Sequence, residues 1–358
     1  MTIRKTALTI GALLLLSTAA LQVSAQENAQ LAQLQAAQAE RAKAQDAIEA
    51  KTKKLQITEE ILPLRIPGHT LGETEGVSKN AAGHLFVYSR TGRGGSAKAG
   101  AAAQLFEFDQ NYQFVKQWAQ NAYGTAFAHA VRIDKDQNVW VVDKGSSMVM
   151  QFDKDENIVK VLGRKPEAID WLEEFLERGE KDTTRFPVGN VGTFYFPTDI
   201  AWSPNGDNFI SDGYGNSRVV KVSKDGTWVK SVGTRGSGPL QFSTPHGIDV
   251  DPDGNVYVAD RGNFRIQIYD YDLNHKEDIT GIGAPWSVRW TPKYIYSGDG
   301  TGKLYQIDRK THKLLGWAQT SMGAGQNGCL IHSLYAESDN VLYKGSCTEW
   351  NIRKITIK

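Results

Sequence analysis

The chain has 358 residues, 41 of them basic and 40 acidic, for a formal charge of +1. That length supports one large domain with a substantial core, or two smaller ones. The balanced charge lacks the basic stripe that a nucleic-acid partner requires. Glycine at 35 and tryptophan at 9, with scattered tyrosine and phenylalanine, suit a turn-rich β protein.

Arg4 and Lys5 precede an apolar run from Leu8 to Leu16 and a small-residue Val23-Ser24-Ala25 site. This is the pattern of a secretory signal peptide over residues 1–25. The run falls short of the ~20 apolar residues of a membrane span. No stable span is therefore expected after cleavage, and the mature chain is expected to be secreted or periplasmic, in an oxidising compartment. Residues 26–57 are rich in Ala, Gln, Glu and Lys without Gly or Pro, a composition that favours helix. Leu31, Leu34, Ile48 and Leu55 form only a sparse apolar stripe, so a solvated helical linker is expected rather than a coiled coil.

The next domain is expected to span residues 58–358, and from Ile61 onward its text is repetitive. Each unit opens with a polar residue before an aliphatic pair, passes an Asp-x-Asp-Gly-like turn, and continues into an alternating strand ending in Asp, Ser or Gly. Two further strands complete it. Six copies fit, starting at Glu75, His129, Thr198, His246, Trp286 and His332, at intervals of 40–69 residues. Four short strands in such a period predict an all-β, six-bladed β-propeller. Closure of the ring removes exposed sheet edges, and Ile61–Ile66 is expected to complete the last blade, latching the two ends together. The fifth copy is the weakest, which leaves a seven-bladed ring as the alternative.

The longest interval holds an insertion at about 166–185. Within it Ile169, Leu172, Phe175 and Leu176 fall on one face of an amphipathic helix stopped by Gly179. A patch on the ring's surface and a lid over a site are equally compatible with it. Gly92–Gly100 is rich in Gly and Ala, but no Gly-Lys-Ser/Thr follows, so a phosphate loop is not expected.

Of the seven histidines, His129, His246 and His332 occupy one template position in copies two, four and six. Alternate blades of a six-fold ring lie about 120° apart. The three imidazoles are therefore expected to converge on the axis as a metal site with room for a further ligand. Zinc, one per chain, fits best, although imidazoles also suit copper, iron and nickel. Glu75 holds the same position in copy one and reads as a group near the metal or as a solvated turn residue.

Loops after each second strand share the face of the histidines. They carry Ser89-Arg90, Asp212-Gly213-Tyr214-Gly215-Asn216 and Asp260-Arg261. Antiparallel pairing also brings Cys329 and Cys347 to this face of the last blade. In an oxidising compartment a disulfide is expected, the rival being a thiolate near the metal.

Phe196-Pro197-Thr198-Asp199, Ser211-Asp212-Gly213-Tyr214-Gly215-Asn216-Ser217-Arg218, Pro245-His246 and Ala259-Asp260-Arg261 together resemble the NHL-repeat propeller of peptidyl-α-hydroxyglycine α-amidating lyases. The resemblance covers about residues 72–358. It implies zinc on His129, His246 and His332, with Tyr214 and Arg90 as catalytic residues and Arg261 as a substrate-binding residue. It further implies cleavage of a carbinolamide C–N bond in a small-molecule or peptide substrate, giving an amide and glyoxylate. Zinc would act as a Lewis acid on the substrate hydroxyl, Tyr214 would take the hydroxyl proton, and an arginine would pair the substrate carboxylate.

Three departures stand out. Ser333 replaces the aspartate that the family ties to a structural calcium, which counts against calcium here. Leu330 replaces a methionine, and Gly215 replaces the cysteine beside the tyrosine. The competing expectation is a non-enzymatic NHL propeller whose rim binds protein or cell-envelope ligands. A metal-dependent hydrolase such as a lactonase fits less well, because such propellers rely on carboxylate and amide ligands.

Overall fold

In the polar turns of blades two and four the first Asp accepts backbone N–H bonds from residues two and four further on, Asp134 from Asp136 and Asn138 and Asp251 from Asp253 and Asn255. An Asx-capped turn of this kind folds an alternating segment back on itself as an antiparallel hairpin. The computed structural model describes residues 40–41, 43–90, 103–120, 122, 124–163, 192–320 and 328–358. The chain falls into two compact units, residues 1–51 and 52–358. In the first, residues 43–49 are helical. The expected signal peptide and the helical insertion at about 166–185 lie outside the described residues.

The second unit is a six-bladed β-propeller, one blade for each of the six copies. From blade one to blade six, the innermost strands are Glu73–Lys79, Ala128–Ile133, Asp199–Trp202, Pro245–Val250, Pro285–Trp290 and Ser333–Ala336. The second strands, in the same order, are Leu85–Arg90, Val139–Asp143, Asn208–Asp212, Val256–Asp260, Tyr294–Asp299 and Val341–Gly345. Each innermost strand touches that of the next blade, and the strand of blade six returns to that of blade one. The fifth copy forms a complete blade, which excludes the seven-bladed alternative.

Closure uses the N-terminal side of the unit, but not the segment expected. Ile57–Ile61 pairs antiparallel with Ile352–Ile357, Ile57 opposite Ile357 and Ile61 opposite Arg353. Leu62, Leu64 and Ile66, read from sequence as strand, instead pack with Val77, Val87, Tyr343 and Ile352 between blades six and one. A further short strand, Lys53–Lys54, runs parallel to the outer strand of blade five. Strand structure thus begins ahead of the boundary at 58, inside the stretch read as helical linker. An edge strand held by backbone pairing alone carries no apolar alternation to announce it.

The core is six seams rather than one centre. Each apolar cluster joins facing sheets of adjacent blades, as Phe86 and Tyr88 meet Val131 and Val139 between blades one and two. Tyr257 and Ile268 likewise meet Val288 and Ile295 between blades four and five. Burying one such side chain contributes roughly 1.5–3 kcal/mol, so a blade deprived of its neighbours loses most of its stabilisation.

Candidate metal centre

In blades one, two, four and five the pairing of the innermost strand slips at the first template position. The breaks fall between Thr74 and Gly76, Ala128 and Ala130, Pro245 and Ile248, and Pro285 and Ser287. A bulge adds one residue and re-aims its side chain. Here it turns Glu75, His129, His246 and Trp286 into the mouth of the central channel. His332 joins them from just ahead of its own strand.

The three imidazoles meet there, with ring centroids 4.6–4.8 Å apart and ligand nitrogens within 4.8 Å of one another. Their other nitrogens follow one rule. Nδ1 of each ring bonds the carbonyl oxygen of the template residue in the next blade: His129 to Thr198 at 2.6 Å, His246 to Trp286 at 2.6 Å and His332 to Glu75 at 2.7 Å. A carbonyl only accepts, so Nδ1 carries the hydrogen and Nε2 presents its lone pair to the axis. Burial, then the neighbouring imidazoles of His332 and His246, push His129 well below its ordinary pKa. Burial, His332 and Arg261 do the same to His246. This donor set fits a divalent cation that accepts imidazole nitrogen, with carbonyl partners fixing each ring.

Glu75 is fully buried, which removes its reading as a solvated turn residue. One carboxylate oxygen lies 2.9 Å from His332 Nε2 and the other 3.1 Å from Arg90 Nη1. Neither accepts a well-aligned hydrogen bond among the described residues. Burial alone would raise this carboxyl, but His332 and Arg90 hold it below the usual carboxylate range.

A second device places the remaining groups. Blades two, three and four end their second strands in a buried Asp that accepts N–H bonds from the incoming connection. Asp143 takes Ala126 and Phe127, Asp212 takes Tyr195, and Asp260 takes Ser243. Residues just past these anchors rise around the metal site. Tyr214 places its hydroxyl 3.5 Å from His129 Nε2 and 3.4 Å from His246 Nε2. Arg261 Nη1 donates to that hydroxyl at 3.4 Å, and its guanidinium lies 4.3 Å from the Trp286 ring.

The Tyr214 turn needs its glycines. A Cβ on Gly213 would sit 1.8 Å from the Pro245 carbonyl oxygen, and one on Gly215 would sit 1.5 Å from the Tyr195 ring. The Tyr195 ring thus leaves no room for the cysteine that the resemblance would put at 215.

Blade one inverts the charge of this device, with Arg90 where blades two to five carry Asp. Its Nη1 lies 3.1 Å from both Glu73 and Glu75, and its Nε donates to the Ala128 carbonyl at 2.8 Å. Arg90 therefore reaches the site by holding Glu75. Sequence reasoning passed over Lys144, whose ammonium lies 4.0 Å from the Tyr214 ring and 5.2 Å from the Phe196 ring. The signal was present, because Lys144 follows Asp143 as Arg261 follows Asp260. Two cations thus flank Tyr214, Lys144 with Phe127 and Phe196 nearby and Arg261 against Trp286.

Below the histidines the channel is plugged by charge. Arg132 bonds Asp199 and the Ile248 carbonyl, and Arg289 bonds Asp199 and the Leu334 carbonyl. Carboxylate and carbonyl oxygens of this kind suit calcium, but two guanidinium groups already occupy them. With Ser333 after His332, the residues do not fit a structural calcium. Cys329 and Cys347 form a disulfide with a Cα–Cα distance of 5.4 Å, so neither offers a thiolate.

Residues 242–269 match the NHL repeat family model. The chain is 27% identical over 272 residues to a probable peptidyl-alpha-hydroxyglycine alpha-amidating lyase of Caenorhabditis elegans, covering 72% of this chain and 70% of that protein. It is 30% identical over 204 residues to human NHL repeat-containing protein 3, covering 54% of each. It is 35% identical over 186 residues to the rat peptidylglycine alpha-amidating monooxygenase, covering 48% of this chain but 17% of that longer protein. Among solved structures, a streptogramin B lyase superposes with a TM-score of 0.54 at 13% identity, covering 84% of this chain and 98% of that one. That likeness concerns the fold.

Proposed function

We propose that this NHL-repeat propeller is a divalent-metal-dependent lyase, with zinc as the expected ion, that cleaves the C–N bond of a peptidyl-α-hydroxyglycine or a similar carbinolamide. The carrying observation is the Tyr214 hydroxyl held between the Nε2 atoms of His129 and His246, with Arg261 beside it. His129, His246 and His332 would hold the metal, which supplies Lewis-acid stabilisation of a substrate oxygen when bound.

Tyr214, as the phenolate, would receive the substrate's hydroxyl proton and pass it on to the departing nitrogen. The freed electron pair forms the aldehyde C=O of glyoxylate, and the C–N pair leaves with nitrogen, which takes a proton to give the amide. Arg261, stacked on Trp286, would pair the substrate carboxylate. Lys144 adds positive charge on the opposite side of Tyr214. Arg90, committed to Glu73 and Glu75, would position the site rather than touch substrate. The aromatic rim would take the peptide portion. The disulfide suits the oxidising compartment of a secreted or periplasmic protein, and the described residues contain no helix long and apolar enough to cross a membrane.

A binding-only propeller requires neither imidazoles pinned with their lone pairs inward nor a tyrosine hydroxyl between them. The full chain should hold about one divalent ion, lost in the His129→Ala, His246→Ala double variant, and should release glyoxylate from an N-acyl-α-hydroxyglycine. Tyr214→Phe should keep the metal and lose turnover. A wild-type chain that binds no divalent ion after reconstitution would rule the reading out.

A further inference from the structure

We infer that Glu75 is a fourth protein ligand of the metal, making the centre a three-histidine, one-carboxylate site. The inference rests on the metal-dependent reading above and adds to it a residue from blade one.

The argument starts from the backbone. Glu75 occupies the template position that carries the histidines in blades two, four and six, and it sits on the same bulge as His129 and His246. It is therefore aimed at the axis by the same local geometry. Its carboxylate oxygen faces His332 Nε2 at 2.9 Å. Because His332 gives its Nδ1–H to the Glu75 carbonyl, this contact sets a ring lone pair against a carboxylate lone pair. A positive centre between them relieves that contact, either a second proton on the ring, which makes it an ion pair, or a metal ion held by both. Neighbouring ligands of one ion, each about 2.0–2.2 Å from it, stand at about this distance from one another when their directions are near right angles.

The second observation is the state of the carboxylate. Burying an anion costs several kcal/mol unless it is paired, yet Glu75 is wholly buried and its oxygens lack aligned hydrogen bonds among the described residues. Arg90 engages one oxygen. That leaves the other, on the His332 side, to bind in monodentate fashion. Arg90 is in turn fixed by Glu73 and the Ala128 carbonyl, so it orients the ligand as outer-sphere groups do at metal sites. A carboxylate lowers the net charge of a divalent centre from +2 to +1. It also adds a hard donor that suits Mn²⁺, Fe²⁺ and Co²⁺ as well as Zn²⁺.

The test compares the full-length wild type, Glu75→Gln and His246→Ala after metal removal. Zn²⁺ affinity is measured by competition with a chromophoric chelator, and the Zn²⁺-loaded wild type is solved crystallographically. Unfolding midpoints confirm that each variant folds. The expected result is a Glu75 oxygen within about 2.0–2.2 Å of zinc and at least a thirtyfold loss of affinity in Glu75→Gln. A Glu75 oxygen more than 3 Å from the bound ion, or Glu75→Gln affinity within threefold of wild type, overturns the inference and leaves the metal reading standing. Failure of the wild type itself to bind Zn²⁺, Mn²⁺, Fe²⁺ or Co²⁺ overturns both.

Discussion

Glu75 engages both nitrogens of the His332 ring: its carbonyl accepts Nδ1–H at 2.7 Å and its carboxylate stands 2.9 Å from Nε2. The two residues belong to blades one and six, so this contact spans the seam where the ring closes. The same seam carries the Thr74 hydroxyl, which donates to the Ser346 and Asn351 carbonyls, and the apolar cluster around Leu62 and Leu64. The metal centre and the closure of the propeller are therefore supported by one set of contacts. The remaining two histidines repeat only the backbone half of the arrangement, toward Thr198 and Trp286.

Arg261 has the geometry of a substrate anchor, with its guanidinium face on Trp286 and one N–H on Tyr214. Replacing it by Ala removes one charge-assisted contact, worth about 1.5–3 kcal/mol. The expected effect is a rise in KM of roughly 10- to 100-fold with a smaller change in kcat and no loss of bound metal. Steady-state kinetics with metal analysis checks this. Arg261→Lys should recover only part of the loss, because an ammonium cannot both stack and bond in two directions. Equal loss of kcat and kcat/KM would instead place Arg261 in the transition state alone.

The channel plug makes a different forecast. Asp199 is shared by Arg132 and Arg289, and burial followed by the proximity of Arg132 draws Arg289 down to about 10. Removing one partner of a buried ion pair costs roughly 3–5 kcal/mol, because the other charge stays buried. Arg289→Ala should lower stability by that order in denaturant unfolding. A calcium chelator that spares tighter-bound transition metals should leave the wild-type Tm unchanged, since guanidinium groups fill the place of a cation. A chelator-induced drop restored by calcium would contradict this account.

The repeat phrase disclosed the blade count and the convergence of His129, His246 and His332, because both depend on periodicity along the chain. Loops following the second strands were placed on the correct face for the same reason, which brought Tyr214, Arg90 and Arg261 together. Contacts that depend on close approach between blades stayed hidden. The pairing of Arg90 with Glu73 and Glu75 joins adjacent strands of one blade, but its meaning depends on His332 from another. The filling of space at Gly215 by Tyr195 is equally invisible in one dimension. Ile61–Ile66 reads as the closing strand because it alternates, whereas Ile-Thr-Glu-Glu-Ile at 57–61 does not, and only the pairing with Ile352–Ile357 reveals it.

The Cys329–Cys347 bond closes a loop with a sequence separation of 18 beside His332. Loop-closure entropy gives such a crosslink about 3 kcal/mol. The Cys329→Ser, Cys347→Ser double variant should lose about that much in denaturant unfolding, and reduced wild type should match it. The sulfur atoms lie within 4.8 Å of a Glu75 carboxylate oxygen, so the variant should also bind metal more weakly. Unchanged stability on reduction would show that the bond adds nothing to the seam.

Asp299 supplies a pH signature separate from the metal centre. It ends the second strand of blade five and accepts the N–H groups of Thr301 and Lys303. Burial outweighs these bonds and pushes its carboxyl up to about 6 from an ordinary 3.8. With the folded value above the unfolded one, its stabilising contribution is fully present below pH 3.8 and is lost as pH rises through about 6. At pH 7.5 the carboxylate is charged and buried, at a cost of up to about 3 kcal/mol. Asp299→Asn keeps an oxygen for the same donors and removes the charge. The variant should be more stable than wild type at pH 7.5, with the difference shrinking toward zero near pH 4. Urea unfolding of both proteins at the two pH values measures it. A difference that is the same at both would mean that Asp299 does not titrate between them.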